Sequence, residues 1–159
     1  METTPSSQPS GNKDFFSVLA DLEALFQTYF VDKAPVLPDG VKEFFVKVAP
    51  YLAIVGVLFG GLSVLTLLGF GSLGAFSYWS LGIYNFAFFV SVAGTIIVVI
   101  LEAMAIQGLF HRKRAAWNLL FYAVLVQAVE NLLTLNVIGL VIGTLISLYI
   151  LFQMRSRYA

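Results

Sequence analysis

The 159-residue chain is 59% hydrophobic with a mean hydropathy of +0.89, far above what a soluble domain needs to fill a core, so a bilayer is the expected solvent. Nine Lys and Arg balance nine Asp and Glu, which leaves no net-charge argument for nucleic acid as a partner. Cysteine is absent, which excludes disulfides, thiolate metal sites and cysteine nucleophiles.

Residues 1–13 are rich in Ser, Thr, Pro, Gln and Gly and carry no hydrophobic periodicity, which predicts a disordered tail. The stretch has no basic segment followed by an apolar core, so it does not read as a cleavable signal peptide. From Asp14 to Val31 the residues Phe15, Val18, Leu19, Leu22, Leu25, Phe26, Tyr29 and Phe30 recur at steps of three and four. That spacing predicts an amphipathic helix, with Asp14 as its N-cap. Its polar face holds Asp21, Glu23, Gln27 and Asp32. An acidic face suits docking on the protein's own helices, a second copy or a partner better than it suits an anionic leaflet. Pro35 and Pro38 then mark a hinge, and 41–47 predicts a short interfacial helix, so 14–47 forms one cytoplasmic or interfacial unit.

The remainder, 48–154, predicts an all-α bundle of four transmembrane helices at about 50–68, 83–110, 115–134 and 137–153. Pro50 is placed in the first turn of the first span, where its missing N–H costs little. Gly56 and Gly60 are four apart, as are Gly139 and Gly143 in the fourth span, and each pair marks a face for close helix packing. The 69–82 connection reads as a membrane-hugging loop, with Tyr78, Trp79 and Tyr84 at headgroup level. The second span is long enough to tilt or to bend near Gly94. Asn136 is the expected N-cap of the fourth span, and 155–159 is a short cytoplasmic tail.

Four spans put both termini and the basic turn His111-Arg112-Lys113-Arg114 on one side, and all nine Lys and Arg fall there. The positive-inside rule makes that side cytoplasmic. Arg112, Lys113 and Arg114 thus read as a topology signal, with lipid headgroup contact as the other reading. His111 is the sole histidine and has no companions at metal-ligand spacing, so no metal or other cofactor is expected.

Two carboxylates fall within spans, Glu102 at mid-depth and Glu130 nearer the outer interface. Gln127, Glu130, Asn131 and Thr134 recur at steps of three and four and predict one polar stripe. The stripe reads either as a proton or cation path with Glu102, or as a hydrogen-bonded seam in which Tyr122 or Gln127 satisfies Glu102. No phosphate loop, nucleophile elbow or paired-histidine motif is present, and no enzymatic activity is expected.

The segment Leu109-Phe110-His111-Arg112-Lys113-Arg114-Ala115-Ala116-Trp117, with Gly139-Leu140-Val141-Ile142-Gly143 and Leu148-Tyr149-Ile150-Leu151-Phe152 after it, resembles small four-helix prokaryotic integral membrane proteins of unknown function. The resemblance covers about the last 60 residues and implies a bacterial or archaeal inner-membrane setting, with no catalytic residue to carry over. The expected role is a non-catalytic accessory, scaffold or assembly protein acting through helix–helix packing and its N-terminal amphipathic helix, against a second copy or a membrane-protein partner; the alternative is a small transporter or channel moving protons or cations along Glu102 and the Gln127, Glu130 and Asn131 stripe.

Overall fold

The computed structural model describes residues 15–71 and 82–159. The expectations for the 1–13 tail, for Asp14 as a cap, for Tyr78 and Trp79, and for the side chain of Tyr84 lie outside the described residues. Among the described residues 89% are helical and none is in a strand, and four helices there are long and apolar enough to cross a membrane.

Helix α1 (Phe15–Gln27) runs into a π-helical turn at Thr28–Asp32. Helix α2 covers Asp39–Thr66, α3 Gly82–Phe110, α4 Arg114–Leu133 and α5 Thr144–Met154, the last preceded by a π-helical turn at Gly139–Gly143. One expectation is corrected. The short helix at 41–47 and the first span are a single helix, with Pro50 inside α2 and buried rather than opening a new element. A proline costs one backbone hydrogen bond in a helix interior, and a membrane helix packed by its neighbours tolerates that loss.

Both tight connections close in the same way. Arg112 has φ 51°; its N–H donates to the Leu109 carbonyl (3.1 Å), and the Lys113 N–H donates to the Gly108 carbonyl (2.8 Å). Leu135 has φ 57°, and the equivalent bonds run from Leu135 N–H to Leu132 (3.2 Å) and from Asn136 N–H to Asn131 (2.8 Å). Each is a Schellman motif with a left-handed residue after the helix, which turns the chain back at once and makes α3–α4 and α4–α5 antiparallel neighbours. Asn136 caps the fourth span as expected, its Oδ1 accepting the Gly139 N–H at 3.0 Å.

The core gathers at the end of the bundle that carries the basic turn. Trp117, Phe121, Phe152, Leu109 and Leu148 are fully buried there, with Val46, Ala53, Ala105 and Ala116 beside them. Trp117 stacks on Phe121 (5.6 Å between centroids) and meets Phe152 edge-on (5.3 Å), while its indole N–H donates to the Leu151 carbonyl at 2.8 Å. Phe26 and Phe30 add their rings to the same cluster, so α1 is seated on α5 rather than standing free. Outward-facing residues such as Leu58 (66% exposed), Phe59 (67%) and Leu65 (69%) present hydrocarbon, as spans facing lipid should.

Candidate functional site

Each intramembrane acid is seated on a glycine of the neighbouring helix. A Cβ added at Gly56 of α2 would stand 2.5 Å from Glu102 Oε2, and one added at Gly94 of α3 would stand 2.5 Å from Glu130 Oε2. At both positions the missing side chain leaves the place that a carboxyl of the neighbouring helix occupies. Gly94 is therefore a seat for Glu130. At about 1.5 Å per residue the eight-residue step from Gly94 to Glu102 separates the two acids by roughly 12 Å along α3. They cannot hold one ion as a close pair.

The predicted stripe on the third span divides. Glu130 turns toward α3, where its carboxyl lies against Gly94. Gln127 and Asn131 turn toward α5. The physical reason is angular: Glu130 and Asn131 are successive residues, about 100° apart on a 3.6-residue helix, so a polar sector that wide meets two neighbours. Thr134 bonds back to its own helix, its hydroxyl donating to the Glu130 carbonyl at 2.8 Å.

Glu102 lines a cavity of about 210 Å³ between α2, α3, α4 and α5, together with Gln127, Ser147 and the apolar Phe45, Leu52 and Val98. An adjoining cavity of about 200 Å³ is lined by Gln127, Asn131, Asn136, Gly139, Gly143, Thr144 and Ser147. Gln127 and Ser147 belong to both cavities, and both residues are exposed, as is Gly143, so the two form one cleft open on the side of the bundle. Glu102 makes no hydrogen bond among the described residues; neither Tyr122 nor Gln127 satisfies it. Thr144 Oγ1, buried in the wall of the cleft, also lacks a hydrogen-bond partner among the described residues. Thr144 and Ser147 were missed in the sequence. Their signal was Gly143-Thr144 followed at the next turn by Ser147, a small and polar face on an otherwise aliphatic span.

The two glycine pairs have different fates. Gly56 and Gly60 are both filled within the chain, by Glu102 and by Val99 of α3, the latter at 2.5 Å from an added Cβ. Gly139 is covered by the amides of Asn131 and Asn136, which are themselves linked at 3.0 Å. Gly143 meets nothing within 4 Å, so the close packing expected there is not made inside this chain. An open glycine beside a π-helical turn leaves backbone accessible along α5.

The two arginines of the basic turn are paired within the chain. Arg112 donates to Glu43 of α2 (2.5 Å), and Arg114 donates to Glu23 of α1 (2.7 Å). Arg155 donates to the same Glu23 oxygen and also to Gln27 Oε1 (2.5 Å), and Arg157 pairs with Asp39 (2.6 Å). The Arg114 guanidinium covers the Trp117 ring at 4.1 Å. Only Lys113 of the triplet stays exposed without a partner among the described residues. The acidic face of α1 thus serves as an internal clamp between the third and fourth spans. His111 Nδ1 lies 2.8 Å from the Gln107 carbonyl, and no group of His, Cys, Asp or Glu able to hold a metal occurs among the described residues.

Four apolar spans, seated acids and a polar lateral cleft define the chain as a multi-pass α-helical membrane protein. Compared with protein-family models, curated proteins and solved structures, it matches none.

Proposed function

We propose that the chain is a non-catalytic membrane assembly protein whose working surface is the lateral cleft between α4 and α5, into which a helix from a second copy or from another membrane protein packs. The observation that carries this reading is the contrast between the glycines. The Gly56–Gly60 face is already closed, whereas Gly143, Ser147 and Gln127 stand open where hydrocarbon would otherwise meet polar groups. Polar atoms facing lipid are costly, and a small-residue face lets a second helix come close enough to cover them. An incoming helix that carries a hydrogen-bond donor would also satisfy Glu102. On this reading the basic end of the bundle faces the cytoplasm of a prokaryotic cell, following the distribution of Lys and Arg.

The substitution Gly143→Leu tests it. Assembly measured by light scattering in detergent, or by cross-linking in membranes, should weaken at least tenfold, on the order of 1.4 kcal/mol, while the protomer keeps its helicity. Unchanged assembly would refute the surface.

One observation favours a second reading, movement of protons or cations. Glu102 lacks a hydrogen-bond partner among the described residues, and no Lys or Arg stands beside it in the cleft to neutralise it. Intramembrane acids in that condition commonly lie on ion paths. Here Gln127 and Asn131 would continue the path toward the α4–α5 connection, with Glu130 outside it. Liposomes containing the protein should then show a proton or cation flux that Glu102→Gln abolishes and Glu130→Gln leaves intact. Absence of any flux would end this reading.

A further inference from the structure

At the basic end of the bundle three cations from three separate elements line one opening: Lys42 of α2, Arg114 at the start of α4 and Arg155 just after α5. The opening measures about 380 Å³, and Gln27, Gln153 and Ser156 complete its polar wall. Glu23 is the one carboxylate paired with the two arginines, and a single Oε1 takes both of them, so three positive charges face one negative.

The donors are only partly used. Arg114 gives one guanidinium nitrogen to Glu23. Arg155 gives its two terminal nitrogens to Glu23 and Gln27, but its Nε is buried with no hydrogen-bond partner among the described residues. Lys42 has no acidic partner among the described residues. Positive charge in excess of its carboxylate is the requirement of an anion site, and paired arginines suit the tetrahedral oxygens of phosphate. The volume falls within the usual range of small-ligand clefts. The Arg114 guanidinium is held over the Trp117 ring at 4.1 Å, which fixes it at the edge of the opening.

We infer that this opening, formed by Lys42, Arg114 and Arg155, binds a phosphate-bearing anion, either the headgroup of an anionic phospholipid or a free phosphate group. The site is distinct from the consecutive Arg112-Lys113-Arg114 triplet, because it draws only Arg114 from that turn and takes its other cations from distant parts of the chain. It is also independent of the lateral cleft.

The test uses the full chain in nanodiscs and reads the unfolding temperature, since any ligand that binds only the folded form raises it. One arm adds inorganic phosphate to discs of neutral phosphatidylcholine, with chloride at matched ionic strength as the control. The other arm replaces part of the phosphatidylcholine by phosphatidylglycerol. A rise with inorganic phosphate identifies the free group as a ligand, and a rise confined to phosphatidylglycerol identifies the lipid headgroup. In either arm Lys42→Gln should weaken the apparent affinity about tenfold, the loss expected for one charge-assisted hydrogen bond. Lys47→Gln removes an exposed lysine of the same helix outside the opening and should leave the affinity unchanged. The proposal is overturned if neither anion raises the unfolding temperature, if chloride acts equally, or if Lys47→Gln weakens binding as much as Lys42→Gln.

Discussion

Replacement of Gly56 by leucine is expected to destabilise the protomer by about 3 kcal/mol or more, the upper range for forcing extra atoms into a packed seam. The first added carbon alone would lie 2.5 Å from the Glu102 carboxyl, so α2 and α3 must separate or Glu102 must leave its seat. Glu102 can leave its seat only for lipid or for the cleft it already lines, and the rest of the leucine side chain must still be housed between the two helices. Thermal unfolding in detergent micelles measures the loss directly. A leucine at Gly143 should have almost no effect in the same assay, because an added carbon there meets nothing within 4 Å. If both variants unfold alike, the division between a closed and an open glycine face is wrong.

The second large effect concerns Trp117. Truncation to alanine should cost about 3–5 kcal/mol, as for other fully buried aromatic side chains. Three losses coincide at this position: the stack on Phe121, the edge contact with Phe152, and the donor to the Leu151 carbonyl. The indole also carries Arg114 on its face, so the clamp through Glu23 should loosen in the same variant. Protease sensitivity of the α1 segment should therefore rise together with the fall in unfolding temperature. Phenylalanine at position 117 is expected to recover most of the packing but not the hydrogen bond.

The spans themselves were legible in the sequence because hydropathy and charge placement report the solvent of each segment. The second span was expected at 83–110 and is found at Gly82–Phe110; the third was expected at 115–134 and is found at Arg114–Leu133. Pairings were not legible. Glu23 and Arg155 are 132 positions apart, and nothing in local periodicity says that the acidic face of α1 will meet the end of the fourth span. Pro50 misled because a proline reads alike at a helix start and inside a long membrane helix.

The glycines show the same limit from another side. Their spacing marks small faces but does not say which partner fills each, so Gly56 and Gly143 looked equivalent. Gly94 read only as one place where a long span could bend, because its contact is with Glu130 of another helix. The polar residues of the third span appeared as one stripe because their one-dimensional spacing is that of a single face. The stripe divides because α3 and α5 flank that face on either side.

A helix packed into the open cleft between α4 and α5 would lie against Ser147. Because the chain has no cysteine, Ser147→Cys introduces a unique thiol in the wall of the cleft. In native membranes oxidation is expected to convert this variant to a discrete cross-linked species, and a water-soluble maleimide to label the thiol poorly. A thiol that labels readily and forms no cross-link would mean that water, and not a helix, fills the cleft.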